Sequence, residues 1–311
     1  MRIAVFGTGG VGGYFGGRLA RAGEDVHFIS RGEHLHAIQT GGLRVDSILG
    51  DFIVKPAQAS DEPSQVGVVD VVILGVKAWD VPNAAQAMRP MVGDQTFVVP
   101  LENGVDAPEQ LASVLGREHV MGGLCQISAF IAGPGHIRHV GIEPFVAFGE
   151  LDGRPSQRAE GLLQVLEAAG VKAAIPPDIQ VSMWEKFLFI ATVSGLGAVT
   201  RAPADIYRSL PETRQMLIAA FEEIVALARA RGVMLPEDTV EKRLAFVDNL
   251  PDGLLASMQR DILEGKPSEL ASQNGAVVRM GAELGISTPV HAFVYNCLLP
   301  QELRARSQLK F

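Results

Sequence analysis

Cysteine is almost missing from this chain. Cys125 and Cys297 are the only two in 311 residues. They stand far apart with no companion at metal or redox spacing, which excludes a disulfide framework and a thiolate metal centre; both are expected to be free buried thiols. Long apolar runs are also absent, and none approaches the roughly 20 residues that span a bilayer. Basic charge is in deficit: 27 Lys and Arg stand against 35 Asp and Glu, for a net charge of −8. With no basic patch, a nucleic-acid surface is excluded. There are no internal repeats, low-complexity segments or charge runs. The opening residues lack the basic and apolar regions of a signal peptide, so a cytoplasmic protein is expected. The remaining composition, 47% hydrophobic and 20% charged, is that of an ordinary globular protein whose length suits two domains.

Glycine is plentiful, and it is concentrated where it carries meaning. Ile3-Ala4-Val5-Phe6 reads as a buried strand, and Tyr14 to Ala22 as a helix. Between them runs Gly7-Thr8-Gly9-Gly10-Val11-Gly12, the G-x-G-x-x-G arrangement in its strand–turn–helix setting. Gly7 permits the tight turn, Gly9 lets backbone N–H groups approach a pyrophosphate at the positive end of the helix, and Gly12 lets helix and strand pack closely. A second strand follows at Asp25 to Ile29, then Ser30-Arg31-Gly32. An NAD-binding chain would place an acid here, about 20 residues beyond the glycines, to hold the ribose 2′-hydroxyl. Arg31 stands there instead. Its forked, permanently charged donors suit a 2′-phosphate, and hence NADP.

Gly42 to Val54 is expected to form extra antiparallel strands or a loop. Val68 to Val76 and Thr96 to Leu101 read as further buried strands, with a helix at 80–92 between them. These strands deliver Lys77 and Asn103 at their carboxyl ends, where open α/β sheets bind ligands. Gln126 to Gly149 reads as a hairpin region. His136 and His139 there, like His34 and His36, have no carboxylate or thiol cluster around them and are expected to be exposed, with no metal site. A helix at Ser156–Ala169 and a strand at Val171–Ile175 lead to Pro176-Pro177. Beyond it helices are expected at Asp178–Gly197, Pro211–Gly232, Ala245–Gly265, Ser268–Gly285 and Pro289–Leu309. The fold expected is thus α/β: a Rossmann-type dinucleotide-binding domain over 1–177, followed by an all-α substrate domain over 178–311.

Reduction of a ketone needs a donor that stabilises the developing alkoxide and supplies a proton. Lys186 sits in the apolar stretch Trp184 to Ile190, with Ile190 and Ser194 on the same helix face. By pattern alone it could equally reach solvent and pair with Asp178 or Glu185. Ser257 and Asp261 share another face. Glu269 is placed in the first turn of the next helix, where the macrodipole favours a carboxylate.

The set GTGGVGG, Ser30-Arg31-Gly32, Val76-Lys77-Ala78, Glu102-Asn103-Gly104, Trp184-Glu185-Lys186, Ser257-Met258-Gln259-Arg260-Asp261 and Pro267-Ser268-Glu269 resembles the ketopantoate reductase (2-dehydropantoate 2-reductase) family over essentially the whole chain. The resemblance implies an NADPH-dependent reductase of a small 2-oxo acid. It implies that Lys77 and Asn103 lie near nicotinamide and substrate, that Lys186 is the catalytic acid, that Ser257 binds substrate, and that Glu269 assists binding and catalysis and orients Lys186. Ser194 would join the substrate contacts, and the helical half could support a homodimer. The chain departs from the family pattern at Ile190 and Ser194, where asparagines are usual, at Gly195 in place of a proline, and at Leu254 in place of another asparagine. Two rivals therefore stand beside ketopantoate reduction: the same chemistry on a more apolar 2-oxo acid, and a non-catalytic NADP(H)-binding sensor.

Overall fold

The structure, a computed structural model, describes residues 1–310. The described residues form two compact units, residues 1–102 with 107–182, and residues 103–106 with 183–310.

The first unit opens with β1 (Arg2–Phe6), α1 (Gly10–Arg21), β2 (Asp25–Ile29) and α2 (Gly32–Gly41). It continues through β3 (Leu43–Ser47), β4 (Phe52–Val54), β5 (Gln58–Ser60) and the short α3 (Pro63–Val66) to β6 (Val71–Leu74), α4 (Val81–Ala87), β7 (Phe97–Pro100) and α5 (Ala107–Leu115). Then come β8 (Met121–Gln126), β9 (Ala129–Gly133), β10 (His136–His139), β11 (Phe145–Glu150), α6 (Gln157–Ala168) and β12 (Lys172–Ala174). Five strands pair in parallel in the order β5-β2-β1-β6-β7. The chain moves outward from β1 first to one side and then to the other. The carboxyl ends of β1 and β6 therefore flank the switch point at which such sheets take ligands. The Gly42–Val54 stretch does form an antiparallel pair, β3 with β4, which joins β10 and β9 in a second sheet.

The two-residue period of β1 explains its unbroken apolar sequence. Ile3 and Val5 enter one core with Phe15, Leu19 and Phe28, while Ala4 and Phe6 enter another with Val81, Met88 and Leu111. Each such large side chain contributes about 1.5–3 kcal/mol when fully buried. Helix α1 needs that support. Its sequence GVGGYFGGRLAR holds five glycines, each costing roughly 1 kcal/mol against alanine. The return is proximity: a Cβ on Gly16 would stand 2.5 Å from Val5 Cγ2. The glycines bring the helix onto the sheet, and Tyr14, Phe15 and Leu19 fill the contact.

The second unit holds α7 (Ile179–Thr200, whose first four residues belong to the first unit), α8 (Ala204–Ser209), α9 (Pro211–Ala230), α10 (Thr239–Asp248), α11 (Ser257–Leu263), α12 (Asn274–Leu284) and α13 (Pro289–Ala305). Among the described residues it has no strand. No described helix is long and apolar enough to cross a membrane.

Several expectations need correction. The single helix read over Ala245–Gly265 is two, α10 and α11. Pro251 and Gly253, the latter at φ +74°, interrupt it as a turn. The helix read from Ser268 begins only at Asn274, because Gln273 sits at φ −104°, ψ −92°, outside the helical region. His139 is buried rather than exposed, its ring held between Ser47 Oγ and the Ile142 carbonyl at 2.8 Å each and packed on Tyr14. Cys297 is exposed, unlike buried Cys125; α13 turns His291, Val294, Leu298 and Glu302 inward, and Cys297 lies off that face.

Candidate active site

The features suited to a dinucleotide lie on the β1–α1 turn. Gly7 adopts φ +95°, a conformation open to glycine without strain. The turn is pinned to β2: the Gly7 and Thr8 amides each reach the Ile29 carbonyl at 3.2 Å, and Thr8 Oγ1 donates to it at 3.0 Å. At Gly12 a Cβ would stand 2.2 Å from the Gly7 carbonyl oxygen, so the helix can leave the turn this steeply only with glycine there. Gly9 occupies the N-cap of α1, no side chain caps the helix, and its first turn carries no acid. The amides of Gly10, Val11 and Gly12 are thus left to an anion, in the geometry that binds a pyrophosphate.

Arg31 follows β2 in extended conformation, φ −138° and ψ 160°, exposed at the N-cap of α2. Its guanidinium has no hydrogen-bond or ion-pair partner among the described residues. These features are of the kind NADP requires: open helix amides suit a pyrophosphate, and an unengaged forked cation after the second strand suits a 2′-phosphate. Arg31→Ala is expected to weaken NADPH binding about ten- to a hundredfold, the scale of hydrogen bonds to a charged group, and to leave NADH binding unchanged. Fluorescence titration of both cofactors checks this, and equal losses for the two would remove Arg31 from 2′-phosphate recognition.

The β6 end is tied to its neighbours. Gly75 N donates to Phe6 O at 2.9 Å, and Val76 N to Glu102 Oε1 at 3.1 Å. Lys77 follows, exposed, with Nζ 5.7 Å from the Trp79 ring centroid.

His34, expected to be exposed, is half-buried under the turn. Its Nδ1 accepts from Gly135 N at 3.0 Å, so Nε2 is the protonated nitrogen and donates to the Thr8 carbonyl at 2.9 Å. Burial lowers its pKa below the usual 6.5. The unfolded chain therefore binds a proton more readily. Stability from this residue is present above about pH 6.5 and is lost as pH falls below it. Between about pH 7 and pH 5.5 the melting temperature should drop more in the native protein than in His34→Gln, which does not titrate. Parallel curves would refute this.

In the helical unit, Lys186 lies half-buried on α7 among buried Trp184, Phe187 and Leu188. Neither acid that could have neutralised it does so. Glu185 accepts from Arg243 at 2.9 Å, and Asp178 accepts from the Gln180 and Val181 amides at the start of α7. The ammonium has no partner among the described residues. Two turns on, Ser194 is fully buried and its Oγ has no described partner. Ser257 is exposed at the first turn of α11. That turn is fixed by buried Gln259, whose amide nitrogen reaches Gly197 O at 3.0 Å and Ala202 O at 2.9 Å.

Glu269 opens a separate turn before α12 instead of lying in the helix. Its carbonyl accepts from Ser272 N at 3.1 Å and Gln273 N at 2.9 Å, and Gly275 N reaches back five residues to Leu270 O. The macrodipole of α12 is therefore not what holds its carboxylate. Amides hold it: Asn103 Nδ2 donates to Oε2 at 3.0 Å and Gln273 Nε2 to the same oxygen at 3.2 Å. The structure thus joins Asn103, from the end of β7, to Glu269, and makes no bond between Glu269 and Lys186. Asn103 belongs to the second unit together with Asp106, which pairs with Arg279 of α12.

Sequence reasoning missed Gln273 and Asn274. Asn274 Nδ2 donates to Ala191 O at 3.2 Å, and its amide lies against the bare face of Gly195. The signal available was an amide four residues after the acid, but it assumed a helix that begins later than expected.

A parallel sheet with an open phosphate turn, joined in one chain to a helical unit carrying an unpaired lysine and an amide-held carboxylate, defines a dinucleotide-dependent oxidoreductase. Residues 3–153 match the description "Ketopantoate reductase PanE/ApbA", and residues 178–302 match "Ketopantoate reductase PanE/ApbA C terminal". The chain belongs to the ketopantoate reductase family and is an NADP-dependent oxidoreductase. The 2-dehydropantoate 2-reductase of Nostoc sp. is 26% identical, over 96% of this chain and 93% of its own. A crystal structure of a PanE/ApbA family ketopantoate reductase from Ralstonia eutropha JMP134 superposes with a TM-score of 0.88 at 32% identity, covering 98% of this chain and all of the other. D-mandelate dehydrogenase, solved with NADH and anilino(oxo)acetate, shares the fold at a TM-score of 0.86 and 23% identity, over 98% of this chain and 99% of its own.

Proposed function

We propose that this chain reduces 2-dehydropantoate (ketopantoate) to pantoate with NADPH, the step that feeds pantothenate biosynthesis, and that it works in the cytoplasm. The observation that carries the reading is Lys186: an ammonium held half-buried on an apolar helix, with both neighbouring acids engaged elsewhere. Such a group is available to a developing alkoxide.

Gly7 to Gly12, Arg31 and Lys77 would hold the cofactor, with Asn103 near the nicotinamide. Bound NADPH supplies the hydride that goes to the carbonyl carbon. Lys186 Nζ hydrogen-bonds the carbonyl oxygen, stabilises its negative charge as that charge grows, and gives it a proton. Ser257 Oγ and Ser194 Oγ hold the substrate's polar groups. Glu269, anchored through Oε2, receives the substrate hydroxyl on Oε1.

A second reading keeps this machinery and changes the substrate to a more apolar 2-oxo acid. Ile190 favours it, lying one helical turn from Lys186 on the same face, as does Leu254. A steady-state panel of 2-oxo acids with NADPH, and NADH as control, tests both. The first reading expects ketopantoate to give the highest kcat/KM. A better apolar substrate would replace it with the second. NADPH binding with no turnover of any 2-oxo acid would overturn both and favour a sensor.

A further inference from the structure

We propose that Gln273 is a positioning residue for Glu269, fixing the carboxylate so that one oxygen is anchored and the other faces the substrate; this rests on the reading of Glu269 as a substrate-contacting group. Both amides that reach Glu269, from Asn103 and Gln273, donate to Oε2. A carboxylate has about four lone-pair sites. The two bonds described are on one oxygen, and Oε1 receives none from the described residues. Two donors arriving from different segments define the plane of the group. One donor alone would leave it free to turn.

Gln273 itself is placed at a cost that packing does not explain. It is fully buried, and its amide oxygen has no described partner. A leucine or methionine would fill the same space without a stranded polar atom. The amide nitrogen's one bond, to Glu269, is what a hydrocarbon could not supply. The backbone beneath is held independently. Glu302 of α13 accepts from Ser268 N at 3.1 Å and from Ser268 Oγ, and Arg306 Nη2 donates to Ser268 O at 2.8 Å. Gln273 N closes the same turn on Glu269 O. The turn is thus secured through main chain and α13, and the Gln273 side chain is left with the orientation of the carboxylate as its task.

The test is a double-mutant cycle in the full-length protein, with NADPH and ketopantoate, or whichever 2-oxo acid of the panel turns over fastest. Gln273→Leu, and Gln273→Met as a second variant should leucine impair folding, are expected to lower kcat about ten- to a hundredfold, with NADPH affinity and melting temperature nearly unchanged. In a Glu269→Gln background the same change should cost less than about twofold, because its effect passes through the missing carboxylate. Equal losses in both backgrounds, or native kcat in Gln273→Leu, overturn the proposal while leaving Glu269 in its role. Native kcat in Glu269→Gln alone overturns the reading of Glu269, and the proposal with it.

Discussion

Lys186→Ala should leave NADPH binding nearly intact and lower turnover by a factor of about a hundred or more, the scale of lost general-acid catalysis. The two effects separate because Lys186 belongs to the helical unit, whereas the phosphate turn belongs to the sheet unit. The loss should fall on kcat and kcat/KM together, since an alkoxide exists only as the reaction proceeds. The structural cost should be small. The ammonium has no described partner to strand, and alanine is the best helix former. Pre-steady-state mixing with NADPH, alongside circular dichroism, checks both halves. Unchanged turnover would remove Lys186 from the mechanism, and lost cofactor binding would assign it a different role.

Gly12→Ala should disturb both the β1–α1 turn and cofactor binding. The new Cβ would meet the Gly7 carbonyl oxygen at 2.2 Å and Val5 Cγ1 at 2.9 Å. The first neighbour is backbone of the phosphate turn, so relief requires the turn or α1 to move. Overpacking of this kind costs about 1–3 kcal/mol. The displaced amides should weaken NADPH and NADH alike, by about tenfold or more, because the pyrophosphate is common to both. This contrasts with Arg31→Ala, which should distinguish them. Titration of both cofactors and a melting curve decide the matter; native affinity would show that Gly12 has no part in the cradle.

How much of this was legible beforehand follows from the range of the interactions. Strand β2 stands where its pattern put it, at Asp25–Ile29, because apolar alternation and flanking polar residues are local signals. The phosphate turn was legible for the same reason: strand, glycines and helix are consecutive. Glu269 was found as a residue but misplaced as a structure. Its helix begins at Asn274, and the turn before it is held by Glu302 of α13 and by Arg306 just beyond it, which local propensity cannot register. The contact between Asn103 and Glu269 spans 166 residues and no periodicity encodes it. His139 misled for a related reason. A histidine in a hairpin looks exposed until a second sheet brings Ser47 to its ring. Lys186 was ambiguous in sequence because both Asp178 and Glu185 lay within reach; the structure gives one to a helix terminus and the other to Arg243.

In the proposed reaction a hydride passes to C2 of a small 2-oxo acid while Lys186 protonates the C2 oxygen. A single-turnover reaction of the purified protein with ketopantoate and NADPH deuterated at the transferable C4 position tests it most directly, with product read by mass spectrometry and NMR. One deuterium is expected on C2 of pantoate, formed with loss of the nicotinamide absorbance, and the yield should collapse in Lys186→Ala. NADPH that binds tightly yet stays reduced, with no deuterium in ketopantoate or in any other 2-oxo acid supplied, would contradict it.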